Sequence, residues 1–341
     1  MKYTAKKDRY KKNNFRRCGN SGLDLPLITL GLWKHFGGKG LKNESKKIIF
    51  RAFDRGVTHF DLANNYGIPF GTAEINFGKL LSTELKKYRN ELVISTKAGY
   101  DMWPGPYGNW SSKKYLISSL DQSLSKLKLD YVDIFYSHRF DPNTPLEETA
   151  DALSLSVKQG KALYVGVSSY SSRNTIRMNK LLLERGVKCL IHQPSYSMIN
   201  RWVEYDLLKT LSKLGIGCIA FSPLAQGMLS NKYTNIIPKN SRANDNTSLK
   251  KQMINKSYKN KIINLDLIAK KRNQSVTQMA LSWVLRKREI TSALIGVRNV
   301  KQLDECLDSL NNLNFTTSEL KNIDKYAKEQ NINLWAASSK H

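Results

Sequence analysis

Four residues of complementary chemistry lie at or just beyond the ends of short apolar runs. Asp61 sits in HFDLA (59–63) and Tyr66 follows in the next loop. Lys97 closes LVISTK (92–97), and His138 closes YVDIFYSH (131–138). A phenol titrates near pKa ~10, too high for easy proton exchange at neutral pH. A nearby ammonium favours phenolate, so Lys97 is expected to lower the value at Tyr66. Asp61 would pair with Lys97 and hold it charged. His138 would hydrogen-bond a substrate oxygen and direct it toward the Tyr66 hydroxyl. Taken singly, Lys97 and Asp61 read as an ordinary ion pair, His138 as a satisfied buried histidine and Tyr66 as loop packing. Their joint placement at successive strand ends makes them a candidate proton-transfer set.

The elements that must position them follow an alternating pattern. Strands are expected at 28–33, 59–63, 92–97, 131–138, 162–169, 190–196, 217–223 and 292–297. The runs are nearly continuous in apolar character, as for parallel strands covered on both faces. Helices are expected at 44–56, 72–82, 112–128, 146–160, 172–186, 204–215, 276–288 and 300–311. Eight strand–helix repeats predict an α/β chain forming a (β/α)8 TIM barrel. An open doubly wound sheet competes, but no glycine fingerprint follows the first strand, and GGKG (37–40) is not one. The whole chain, 1–341, reads as one barrel domain. Its remainders are a basic N-terminal segment and cap (1–27), a polar insertion after the seventh strand (228–260) and a C-terminal tail (312–341). In such barrels the strand C-termini carry the chemistry.

Composition narrows the function classes. The 341 residues carry 55 Lys+Arg against 28 Asp+Glu, a formal net charge of +27. Lys and Asn are spread from end to end, clustering only at 2–17 and 250–261, and no nucleic-acid-binding motif occurs. The charge is therefore read as a surface property, with no nucleic-acid partner. No apolar run reaches the length of a membrane span. Segment 2–17 has eight basic residues and no apolar stretch behind it, so it reads as a mobile or surface-lying segment rather than a secretory leader. Cys18, Cys189, Cys218 and Cys306 are far apart and form no metal-site spacing. Free thiols without a leader predict the cytoplasm.

FDLANNYG (60–67), ISTKAG (94–99), DIFYSHR (133–139), YVGVSSY (164–170), IHQPSY (191–196) and FSPLAQGML (221–229) together resemble the aldo-keto reductase superfamily, from about residue 14 to 338. Within it, GYDMWPGPYGNWSSKKYL (99–116) and INLWAASS (332–339) resemble the bacterial reductases of L-glyceraldehyde 3-phosphate, which are related to potassium-channel β-subunits. The resemblance implies an NADPH-dependent enzyme that reduces a small aldehyde, with Tyr66 as proton donor, Lys97 and Asp61 lowering its pKa and His138 orienting the carbonyl. It implies that Ser168, Ser169 and Gln193 hold the nicotinamide carboxamide and Phe221 packs on the ring. Ser222, Leu224, Gln226 and Gly227 would wrap the pyrophosphate. Gly296, Arg298, Gln302 and Glu305 would hold the adenosine end, with Arg298 facing a 2′-phosphate.

Two departures bear on cofactor affinity: Cys306 stands where relatives usually have Asn, and Arg298 where close relatives often have Ser. Trp33, Trp103 and Tyr107 are candidate pocket walls, and Trp110 reads equally as wall or as cap. Arg139, with Lys34 and His35, is a candidate for holding a substrate phosphate. The leading expectation is reduction of L-glyceraldehyde 3-phosphate to sn-glycerol 3-phosphate. The alternatives are detoxification of methylglyoxal and other short aldehydes, or a redox-sensing regulatory subunit. The oligomeric state is left open.

Overall fold

The computed structural model describes residues 3–12, 14–239, 241–245, 249–327, 333 and 336. Of INLWAASS (332–339), only Asn333 and Ala336 are described. The rest of that stretch lies outside the described residues, as do Met1, Lys2 and Asn13.

A short antiparallel hairpin opens the architecture, β1 (Phe15–Arg17) paired with β2 (Asp24–Pro26). It is tied beneath the barrel. Asn20 donates its amide to the Gly215 carbonyl, and the Arg16 guanidinium donates to the carbonyls of Leu285, Lys287 and Ile290. The segment before it lies on the surface. Tyr3 stacks on Phe50 at 3.9 Å, and Arg9 pairs with Glu91.

The barrel follows: β3 (Ile28–Gly31), β4 (His59–Asp61), β5 (Val93–Ala98), β6 (Val132–Ser137), β7 (Ala162–Ser168), β8 (Cys189–Gln193), β9 (Gly217–Phe221) and β10 (Ser292–Ile295). These eight parallel strands run round in chain order, and β10 closes on β3. Every residue of β5 and β6 is buried, as a sheet packed on both faces requires. Side chains alternate between the two faces of a strand. His59 and Asp61 therefore share the inward face of β4, and Ser95 and Lys97 that of β5. The register sets His59 beside Val93 and Asp61 beside Ser95.

Helices α1 (Asn43–Asp54), α2 (Thr72–Leu81), α3 (Lys113–Leu127), α4 (Leu146–Lys158), α5 (Ser172–Glu184) and α6 (Leu207–Leu214) lie between successive strands. After β9 come α7 (Arg242–Asp245), α8 (Lys256–Lys271) and α9 (Val276–Leu285); α10 (Val300–Asp308) and α11 (Thr317–Tyr326) follow β10. Caps match the sequence: Ser112 accepts from the Tyr115 amide, and Ser275 forms a capping box with Gln278.

The (β/α)8 expectation holds, with local corrections. The strand expected over 190–196 stops at Gln193 because Pro194 has no N–H to continue the ladder. The strand expected over 217–223 stops at Phe221, where Ser222 turns to φ 53°. The helix expected over 204–215 is a 3-10 turn (Trp202–Glu204) followed by α6, which ends at Gly215 with φ 66°. The polar insertion 228–260 already contains α7 and the first turn of α8, whose cap Asn255 accepts from the Tyr258 amide. No helix among the described residues is long and apolar enough to cross a membrane.

Candidate active site

Asp61 ends β4, Lys97 is the penultimate residue of the adjacent β5, and both are wholly buried. The Lys97 Nζ lies 2.6 Å from Asp61 Oδ2 and also donates to the Leu62 carbonyl. Burial pulls the ammonium pKa down, while the Asp61 charge and hydrogen bond, and then Glu74, hold it up. The same ammonium stands 5.1 Å from the centre of the Tyr66 ring. Tyr66 and His138 meet edge to face at 6.0 Å, and Trp33 lies 6.3 Å from Tyr66. Tyr66, Lys97, Asp61 and His138 thus come together at the C-terminal end of the barrel.

The proton chemistry differs from the expectation at one point. Burial, then the Asp61 charge and Tyr100, push the Tyr66 phenol well above its ordinary value rather than lowering it. Lys97 spends its charge on Asp61, so its field at Tyr66 does not outweigh desolvation. Tyr66 therefore holds its proton at neutral pH and is present as a donor. Burial, Lys97 and Arg139 push His138 well below its ordinary value, so the imidazole is neutral.

The remaining expected residues divide by location. The Ser168 hydroxyl and the Ser169 amide both donate to the Gln193 carbonyl, at 2.8 and 3.1 Å. Gln193 Nε2 lies 3.3 Å from Asp61 Oδ1, which joins this trio to the ion pair. Phe221 follows at the end of β9, its amide donating to the Pro194 carbonyl. Ser222, Ala225, Gln226 and Gly227 all have positive φ, the conformation from which anion-binding backbone nests are built. Leu224 lies within that turn. Gln226 Oε1 is buried without a hydrogen-bond partner.

At the end of the neighbouring strand β10, open space adjoins Gly296. Gln302 accepts from the Arg298 amide at 3.0 Å, beside the first turn of α10. Glu305 accepts from Ser275 Oγ at 2.7 Å and so secures the start of α9. Cys306 is buried in the core, where a thiol packs as a small apolar group. A left-handed backbone run after β9, open space at Gly296 and the charges of Arg242 and Arg298 form a surface that fits an anionic dinucleotide.

The proposed substrate side separates more sharply. Trp33 makes ring contact with Tyr66, whereas Trp103 packs on Tyr115 at 5.2 Å. Tyr107 is exposed beside Lys114. Arg139 is stacked 3.7 Å from the Trp110 ring centre and 4.3 Å from that of Tyr100. Its guanidinium donates to the Gly99 carbonyl and to Asn109 Oδ1, both at 2.7 Å. Those bonds make it a strut for the loop, and Trp110 is part of that stack. His35 is pushed down to about 4 by burial and by Arg298, Arg242, Lys42 and Lys34, so its imidazole is neutral here.

Two neighbours escape a sequence reading. Tyr100 meets His138 edge-on at 4.7 Å; the only signal is an aromatic three residues after Lys97. Arg242, from the insertion, lies 5.5 Å from the Trp33 ring centre and within the field of Arg298. Nothing local in its sequence announces that position.

The model for the family described as "Aldo/keto reductase family" matches residues 27–328. A protein named L-glyceraldehyde 3-phosphate reductase from Escherichia coli (strain K12) is 53% identical over 344 residues, covering 99% of each chain. The protein of that name from Escherichia coli O157:H7 matches to the same extent.

Proposed function

Because this chain belongs to the aldo/keto reductase family, and is therefore an oxidoreductase, we propose that it reduces L-glyceraldehyde 3-phosphate to sn-glycerol 3-phosphate with NADPH. The observation that carries this reading is the buried Asp61–Lys97 pair standing beside a protonated Tyr66 and a neutral His138. When bound, a nicotinamide cofactor would supply the hydride. The protein's part is to deliver a proton and fix the carbonyl. Tyr66 would give its hydroxyl proton to the carbonyl oxygen as that oxygen gains negative charge. The Lys97 ammonium, held by Asp61, would stabilise the phenolate left behind. Neutral His138 would donate a hydrogen bond to the same oxygen.

Several residues would hold the cofactor: Ser168, Ser169 and Gln193 at the carboxamide, Phe221 against the ring, and Ser222, Leu224, Gln226 and Gly227 at the pyrophosphate. Gly296, Arg298, Gln302 and Glu305 would take the adenosine end. Arg298, with Arg242 in its field, would favour NADPH over NADH, because guanidinium groups pair well with phosphate. Lys34, 5.0 Å from the Trp33 ring centre beside Tyr66, would be a cation available to a substrate phosphate. The test is NADPH oxidation with L- and D-glyceraldehyde 3-phosphate, methylglyoxal and an aromatic aldehyde, each repeated with NADH. Turnover selective for the L-phosphate and for NADPH is expected. Comparable rates on all four aldehydes would turn the reading to general aldehyde clearance. Slow turnover with retained cofactor would turn it to a redox sensor.

A further inference from the structure

Barrel interiors are ordinarily filled by layers of branched apolar side chains. Beneath the Asp61–Lys97 pair, this barrel instead places Thr29, His59, Ser95 and Ser292, all fully buried. They form one hydrogen-bonded line. Ser292 Oγ lies 2.8 Å from Thr29 Oγ1, and Thr29 Oγ1 lies 3.1 Å from His59 Nδ1. His59 Nε2 lies 2.9 Å from Ser95 Oγ, and Ser95 Oγ lies 2.7 Å from Asp61 Oδ1. The line crosses β10, β3, β4 and β5 and ends on the carboxylate.

Its direction is fixed by chemistry. A carboxylate only accepts, so Ser95 donates to Asp61. The Ser95 oxygen then accepts a hydrogen bond from His59 Nε2–H. A neutral imidazole has one donor and one acceptor, so His59 Nδ1 accepts from Thr29, which in turn accepts from Ser292. Burial keeps His59 neutral, pushing it down to about 4. Every O–H and N–H dipole in the line therefore points toward Asp61. Gln193 adds a longer contact to the same Oδ1, while Oδ2 is left to the Lys97 ammonium.

We infer that His59, acting through Ser95, is a positioning residue for proton transfer: the line orients the Asp61 carboxylate, and through it the Lys97 ammonium, against Tyr66. This inference rests on the reductase reading for its kinetic consequence but not for its structural one. Four polar side chains buried in a barrel core need partners to be tolerated at all. What distinguishes this set from simple mutual satisfaction is that its terminus is the proton-transfer site.

The tests use the full-length protein. By NMR of ring nitrogens, His59 is expected as the Nε2–H tautomer at neutral pH, with or without activity; an Nδ1–H tautomer overturns the inference. In kinetics, Ser95→Ala and His59→Leu are expected to lower kcat about 10- to 100-fold. The aldehyde KM and NADPH binding should stay within about twofold, and the solvent deuterium isotope effect on kcat should increase. Ser95→Thr and His59→Gln, which keep a donor, are expected to restore most of the rate. Unchanged kcat overturns the inference. So does a loss of kcat matched by equal loss of NADPH affinity or folded fraction. If either deletion variant fails to fold, Thr29→Val, at the far side of His59, must lower kcat about threefold with the same isotope signature. If the wild-type protein reduces no aldehyde, the reductase reading fails, and the tautomer measurement decides the orientation of the line.

Discussion

Tyr66 sits under two opposing influences. The Lys97 ammonium nearby favours phenolate, but burial and the Asp61 charge favour phenol, and the second pair wins. The consequence is a donor that stays loaded across neutral pH. In the proposed mechanism Lys97 would act chiefly in the transition state, when charge develops on the tyrosine oxygen. Replacing Lys97 with Met should lower turnover by at least about 100-fold. It should also destabilise the fold by about 3–5 kcal/mol, because Asp61 is left buried and uncompensated. Urea titration with parallel NADPH-oxidation assays checks both. Turnover within about tenfold of wild type would remove Lys97 from the mechanism. The four proposed proton-transfer residues were legible in the sequence because Asp61, Lys97 and His138 fall at or just past strand ends and Tyr66 lies in the loop after Asp61. The direction of the Tyr66 shift was not, because residue types reveal charge but not the depth at which it is buried. The contacts of Arg139 escaped for the same reason: its carbonyl and amide partners come from the 99–110 loop, whose path the spacing does not specify.

At the scale of elements, strand contacts hold the site with little tolerance. Gly166 on β7 faces β8 and the ring of Tyr136. A Cβ there would lie 2.5 Å from the Ile191 carbonyl oxygen and 2.8 Å from Tyr136 Cε1. Tyr136 in turn lies under the Lys97 ammonium, 5.6 Å from ring centre to Nζ. Gly166→Ala should therefore cost about 1–3 kcal/mol by overpacking and reduce turnover as Tyr136 shifts toward Lys97. An unaltered urea midpoint would show that the barrel absorbs the methyl group without cost. The eight strands and their partner helices were readable because both faces of the sheet are apolar and the helical faces are periodic. What escaped was set by single residues or distant contacts. Pro194 and Ser222 shorten two strands, and α8 begins in a polar stretch whose helical signal is only its Asn255 cap. The hairpin β1–β2 is held by Arg16 on carbonyls of the α9–β10 connection, a contact that no local pattern encodes.

For the whole molecule, the net charge of +27 is spread over a surface whose basic N-terminal segment is anchored by Tyr3 on Phe50 and Arg9 on Glu91. Acid stability instead depends on buried neutral imidazoles. Burial pushes His192 down to about 4, from 6.5 when exposed. The unfolded chain therefore binds a proton that the folded chain refuses between those values. Stability is fully present above about pH 6.5 and is lost as pH falls toward about 4. Burial raises Glu74 and Asp133, which act in the opposite direction, so a variant isolates the histidine. His192→Gln retains a donor for the Tyr170 carbonyl but does not titrate. Relative to it, the wild type should lose about 2–3 kcal/mol between pH 6.5 and 4. Parallel stability curves would show that His192 accepts its proton inside the fold.

The central claim is that Tyr66 delivers the proton, and its most direct test is Tyr66→Phe, which removes one oxygen from the site. NADPH oxidation with L-glyceraldehyde 3-phosphate would be followed alongside NADPH binding by fluorescence titration. The account predicts that turnover is abolished while NADPH binds with affinity close to wild type. Turnover near the wild-type rate in the Phe variant would contradict it.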